Sequence, residues 1–150
     1  MIRKANISDI DEILKILEPY SKEGIVLKRT HEEIAGSIDH FYVSETEGQL
    51  SGVAAHYTYS PLLAEIRSLA VRKVLFSKGI GKRLVKKIIS DLREVNPNVK
   101  IFALTLTPDF FKKCGFKEVE KETLPEKIWK DCVNCIKQNE CDEIPMVYAE

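Results

Sequence analysis

Between Ile66 and Leu92 the chain runs strand, loop, glycine pair and helix, and this unit constrains the fold more than any other feature. Ile66-Arg67-Ser68-Leu69-Ala70-Val71 closes a strand-like run, and eight residues later Gly79-Ile80-Gly81 opens a long helix. Ile80, Leu84, Val85, Ile88, Ile89 and Leu92 recur at helical spacing and leave the lysines on the other side. Glycines at a helix mouth let the backbone come close to a ligand. The first-turn N–H groups lack partners and the helix dipole is positive there, so phosphate is the natural guest. Lys78, Lys82 and Arg83 add fixed positive charge around the opening, which suits a pyrophosphate or a ribose phosphate. An ordinary helix start with solvated lysines fits the same spacing. The pattern is neither a Walker loop, since no Gly-Lys-Ser/Thr follows, nor the three-glycine dinucleotide fingerprint.

Other elements follow from local signals. Ile2 to Lys4 reads as a short strand. Ser8 with Asp11 forms a capping pattern for a helix that buries Ile10, Ile13, Leu14 and Leu17, with Pro19 at its end. Thr30 with Glu33 repeats the signal for a helix of about two turns ending near His40. Phe41 to Glu45 and Leu50 to Thr58 are strand-like runs around the turn-forming Glu47-Gly48, and Ala64 to Val71 continues the meander. Asn96-Pro97 stops the long helix, Ile101 to Thr105 is a strand, and Thr107-Pro108 starts a short helix that Gly115 ends. Phe116 to Val119 is a further strand, and Pro145 to Tyr148 reads as a last, edge strand.

The 150 residues suit one domain with one core, spanning 1–150, with a polar, cysteine-bearing segment at about 125–143. Lys+Arg and Asp+Glu are 23 each, so nothing in the charge asks for nucleic acid or a membrane surface. No stretch approaches the roughly 18 apolar residues of a membrane span and the N-terminus has no apolar leader, so a cytoplasmic protein is expected. Cys132, Cys135 and Cys141 crowd into ten residues. They could give three thiolates to zinc or an iron-sulfur centre, with Cys114, His31, His40 or His56 as a fourth ligand. A disulfide and free thiols are the alternatives.

Taken together, Ile66 to Val71 followed by Gly79-Ile80-Gly81-Lys82 resembles the coenzyme-A signature of the GNAT superfamily. That resemblance implies an α/β fold with a mixed, mostly antiparallel sheet of six or seven strands flanked by about four helices, splayed in the middle to admit acetyl-CoA. It implies that Leu69, Ala70 and Val71 bond the pantetheine and that Ser77, Lys78, Gly79, Ile80, Gly81 and Lys82 hold the pyrophosphate. The first position of the family's loop pattern is Phe76 here. Phe110-Phe111-Lys112-Lys113-Cys114-Gly115-Phe116 looks like the family's second signature, beside the pantetheine arm. Its common tyrosine falls on Phe111, which excludes a tyrosine acid at that position.

Ile2-Arg3-Lys4-Ala5 with Asp9-Ile10, then Glu23-Gly24-Ile25 with Lys28-Arg29-Thr30, then Leu124-Pro125-Glu126 occur in the order found in bacterial N-acetylglutamate synthases. The similarity covers nearly the whole chain. The amino-acid-kinase-like domain of the larger members has no counterpart in these residues, so a short, stand-alone form without arginine feedback is expected. The resemblance implies Glu65 as the base that deprotonates the attacking amine, with an exposed residue paired to Arg67 as the plain alternative. It also implies Arg29, beside Lys28, as the grip on the acceptor carboxylate. Arg67, Ser68 and Lys130 are further substrate candidates, and the backbone at Leu69 and Ala70 would bind the oxyanion. A family arginine and serine before the last strand fall on Glu140 and Asp142. The expected partner is a small-molecule amine or amino acid, glutamate first, with a homodimer as the expected assembly. Two rivals are acetylation of another small amine, such as a polyamine, and an acetyl-CoA sensor without turnover.

Overall fold

The structure is a computed structural model that describes residues 1–26, 28–75, 79–120 and 144–149. The elements in order are β1 (Ile2–Lys4), α1 (Ile10–Lys22), α2 (His31–Gly36), β2 (Phe41–Thr46), β3 (Gln49–Ser60), β4 (Leu63–Val71), α3 (Ile80–Val95), β5 (Lys100–Thr105), α4 (Pro108–Lys113), β6 (Phe116–Glu118) and β7 (Ile144–Tyr148). Short 3-10 turns cover Ile7–Asp9, Ile38–His40 and Lys73–Leu75.

The described strands form one sheet in the order β1-β2-β3-β4-β5-β7-β6. All neighbours are antiparallel except β4 and β5. The expected α/β architecture with a mostly antiparallel sheet and four helices is present. Tight turns build the meander: Glu47 and Gly48 both take positive φ between β2 and β3, the geometry that matches the twist of a two-residue hairpin.

Both faces of the sheet carry apolar layers, with a smaller cluster of Leu63, Phe102 and Val147 besides the two main ones. On one side α3 sets Leu84, Val85 and Ile88 against Tyr42, Ala54, Ile66 and Ile101, with Phe111 and Phe116 continuing the layer. On the other, Ile10, Ile13 and Leu17 of α1 and Ile34 of α2 cover Val43, Val53, Ala55 and Ala70. Each such Leu or Ile stabilises the fold by about 1.5–3 kcal/mol through apolar burial. The alternation of Val53 and Ala55 toward α1 with Ala54 toward α3 is the period of two along β3.

Three sequence expectations are corrected. The first capping box is Asn6 with Asp9, which opens the 3-10 turn leading into α1, in place of Ser8 with Asp11. Pro19 lies inside α1, which runs on to Lys22. β7 is an interior strand between β5 and β6, and β6 is the edge.

Candidate active site

The centre of the site is a split in the sheet. β4 and β5 pair in register at Leu63–Lys100, Ala64–Ile101 and Glu65–Phe102, and then part. On its other side β4 carries a bulge: Val53 faces Ala70 and Ala55 faces Arg67, so Ser68 and Leu69 together oppose Ala54. Ser68 takes φ 55°, the left-handed region a bulge uses to redirect a strand. Beyond Glu65 the β5-facing edge of β4 therefore has no strand neighbour among the described residues. Its N–H and C=O groups are available to an extended guest that pairs as a strand would.

A cleft of about 590 Å³ opens at this split, with Leu69, Ala70 and Val71 on one wall and Ile80, Gly81 and Phe110 on the other. Tyr20, Glu23, Ile25, Lys73 and Thr107 border it. The Tyr20 hydroxyl donates to the Val71 carbonyl at 2.5 Å. Burial pushes the Tyr20 pKa up, which keeps the hydroxyl a donor. The Thr107 amide is held by Thr105 Oγ1 at 2.8 Å, and this bond takes the place of the side-chain cap expected at the start of α4.

Gly79 is the N-cap of α3, with φ 77° and no capping side chain. The first helical bond runs from the Arg83 amide to the Gly79 carbonyl, at 3.1 Å, so the amides of Ile80, Gly81 and Lys82 precede the intrahelical ladder. No acidic residue sits in this turn. A Cβ on Gly81 would meet the Phe110 ring at 3.1 Å, so glycine permits this close packing of the cleft wall on the helix mouth. These amides, the dipole and the exposed Lys82 and Arg83 could hold an anionic phosphate.

Glu65 is nearly buried, on the last register pair before the strands part. Its Oε1 accepts hydrogen bonds from Arg67 Nη2 at 2.5 Å and from the Tyr59 hydroxyl at 3.0 Å. Arg67 Nη2 also donates to the Tyr59 oxygen at 3.0 Å, and the guanidinium lies 4.6 Å from the centre of the Tyr57 ring. Tyr57 faces Glu65 across the β3–β4 ladder. Tyr57 and Tyr59 were not legible as site residues, because only the β3–β4 register puts them beside Glu65.

Other expected residues lie elsewhere. Phe111 is buried in the α3 layer, edge-on to Phe110 and Phe116, and Phe110 is the aromatic that lines the cleft. Arg29 approaches Glu33 at 3.7 Å and, with Lys28, borders a second cleft beside Leu14, Leu17 and Lys22. Ser68 is buried at the bulge. Cys114 is in the core, where burial raises its thiol pKa. Phe76, Ser77, Lys78, Lys130, Cys132, Cys135, Glu140, Cys141 and Asp142 lie outside the described residues. Among the described residues no group of three or more His, Cys, Asp or Glu could hold a metal ion, and no helix is long and apolar enough to cross a membrane.

A sheet split beside an uncapped, phosphate-ready helix is the frame of a coenzyme-A-dependent acyl transferase. The chain belongs to the acetyltransferase (GNAT) domain family, which matches residues 14–130, and it is an acetyl-CoA-dependent N-acetyltransferase of that type. It is 48% identical over 146 residues to an uncharacterised N-acetyltransferase of Chlorobaculum tepidum, covering 97% of this chain and 94% of that one. It is 35% identical over 132 residues to an amino-acid acetyltransferase of Neisseria meningitidis. That match covers 87% of this chain but 30% of the relative. The structure is similar to N-acetylglutamate synthase from Neisseria gonorrhoeae complexed with coenzyme A and N-acetylglutamate. The TM-score is 0.88 at 30% identity, over all of this chain and 35% of that one.

Proposed function

We propose that the protein transfers the acetyl group of acetyl-CoA to the α-amine of an amino acid, with L-glutamate as the acceptor. The observation that carries the reading is the Glu65 carboxylate at the mouth of the β4–β5 split, held through one oxygen and with no described donor on the other. Likeness to amino-acid acetyltransferases and to a synthase seen with N-acetylglutamate supports the choice of acceptor.

The residues divide the work as follows. Amides at Ile80, Gly81 and Lys82 receive the coenzyme's pyrophosphate, and the freed edge of β4 at Leu69 to Val71 pairs with the pantetheine arm. Glu65, directly or through a water, takes a proton from the acceptor's ammonium. The freed amine lone pair attacks the thioester carbon, and backbone N–H at Leu69 and Ala70 stabilises the oxyanion. The C–S bond then breaks, the thiolate takes a proton from water, since Phe111 in the core offers none, and the hydroxide so formed takes the second proton from the nitrogen as it becomes the amide.

The test is release of free thiol from acetyl-CoA by the purified protein with glutamate, other amino acids and polyamines, the product identified by mass. N-acetylglutamate as the main product is expected. A second reading, acetylation of a different small amine, draws on the position of Arg29 in a separate cleft and predicts turnover with another member of that panel. Replacing Glu65 by Gln should lower kcat by roughly 100-fold or more at neutral pH with coenzyme affinity unchanged. A drop of only a few-fold would remove Glu65 from the base role.

A further inference from the structure

Its place beside the expected reaction centre makes Arg67 a candidate grip for the acceptor's carboxylate, but its surroundings give it a different task. Arg67 and Glu65 are two residues apart on β4, so their side chains leave the same face of the sheet. Nη2 of Arg67 is engaged twice, by Glu65 Oε1 at 2.5 Å and by the Tyr59 oxygen at 3.0 Å. Tyr59 closes the ring by donating its own proton to the same Oε1. The guanidinium lies over the Tyr57 face at 4.6 Å, a cation–π contact that fixes its plane. The Glu65 and Arg67 side chains are 10% and 18% exposed, so solvent screens this pair far less than a surface ion pair.

Both bonds to the carboxylate converge on one oxygen. Oε2 receives no hydrogen bond from a described residue. A carboxylate fastened this way cannot rotate without losing two donors, one of them charged, and it keeps one oxygen for another proton. We propose that Arg67 is a positioning residue: with Tyr59 it holds the Glu65 carboxylate oriented for proton abstraction, and it does not bind the acceptor. This rests on the assignment of Glu65 as the base. Among the described residues the groups facing the carboxylate are Tyr57 and Tyr59 from β3, Arg67 from its own strand, and from β5 the uncharged Phe102.

The test is the pH dependence of kcat, at saturating acetyl-CoA and acceptor, for Arg67→Gln, Arg67→Lys and Tyr59→Phe. Loss of the guanidinium should move the acid limb of the Arg67→Gln profile upward, since a positive charge beside a carboxylate favours its ionised form. The acceptor KM should change by less than about 3-fold, because no ground-state contact to substrate is lost. Arg67→Lys keeps the charge and should hold the limb close to that of the unaltered protein. Tyr59→Phe should shift it in the same direction as Arg67→Gln by a smaller step.

A limb that stays in place in Arg67→Gln, with the acceptor KM raised about 10-fold or more as loss of a charged hydrogen bond to substrate would do, overturns the proposal. If Arg67→Gln does not fold, an unmoved limb in Tyr59→Phe overturns it as well. Glu65→Gln separates the two ideas. Full turnover in that variant removes the base itself. A turnover loss of about 100-fold there, beside an unmoved limb in Arg67→Gln, removes only the positioning role.

Discussion

At Gly81 two demands fall on one residue, since it belongs both to the helix mouth and to the cleft wall. Its amide is one of those ahead of the intrahelical ladder that are proposed to receive the phosphate, and its missing side chain leaves room for the Phe110 ring. A Val there would push Phe110 toward the cleft while keeping helical φ and ψ, for Gly81 does not take positive φ. Gly81→Val is therefore expected to weaken coenzyme binding by about 10-fold or more, as one or two strong contacts are lost, while the fold persists. Calorimetric titration with coenzyme A checks this, and undiminished affinity would move the phosphate site away from the start of α3. Gly115 has a different requirement: its φ is 97° and a Cβ would come within 2.9 Å of Tyr148, so backbone and space both demand glycine. The sequence marks both glycines but cannot distinguish their reasons.

Elements with strong local signals stand where the sequence put them, and the misses come from longer-range bonds. The Thr30–Glu33 box caps α2 as read. At α1 two overlapping boxes competed, and Arg3 decides between them. It donates to both oxygens of Asp9, at 2.8 and 3.0 Å, and holds that carboxyl below its ordinary range where the Asn6 amide can reach it. Nothing local in Ser8-x-x-Asp11 shows that partner on β1. The interior place of β7 was equally hidden, because Pro145 looks like an edge residue. It pairs opposite Leu104 near the strand's start, and its carbonyl accepts from the Val119 amide at 3.0 Å. In the candidate site, the glycine pair and Glu65 are proposed from spacing and resemblance, whereas the placement of Tyr59, Tyr57 and Phe110 beside them depends on strand register and helix facing.

β3 also carries a pH-sensitive element. His56 sits 4.8 Å from the His40 ring, and its Nδ1 is buried with no hydrogen-bond partner among the described residues. Burial, with His40 and Lys4 nearby, lowers its pKa from 6.5 to about 4, against a small opposing pull from Asp91. The unfolded chain takes up a proton near pH 6.5 that the folded protein refuses until about pH 4. Stability should thus be flat above that window and fall as pH drops through it. Carboxyls such as Asp9 and Glu33, with ordinary values of 3.8 and 4.5, add their loss only at the acid end. Urea titrations between pH 7 and 4 should show the decline, and His56→Gln should flatten its upper half. An unchanged slope in that variant would assign the proton uptake to another group.

On the scale of the whole molecule the fold is two sheet segments joined at a short seam. Among the described residues β1 to β4 and β5-β7-β6 share only the pairing from Leu63 to Glu65, and α3 bridges the segments by packing on both Ile66 and Ile101. That arrangement gives access to a coenzyme arm but leaves one edge of β4 without its ladder. A ligand that supplies the missing partner binds the folded state alone, so its binding energy adds to stability. At a concentration 100 times its Kd, coenzyme A should add about 2.7 kcal/mol. For a chain of this size that raises the thermal midpoint by roughly 5–11 °C. Hydrogen exchange localises the effect: the amides of Leu69 to Val71 and the first turn of α3 should slow beyond the global gain, because their hydrogen bonds are to the ligand, while those of β1 and β2 follow global stability. Adenosine 3′,5′-bisphosphate, which lacks the pantetheine, should slow the α3 amides and leave those of β4 unprotected. A midpoint that rises with no local slowing along β4 would mean that the split is not where the arm lies.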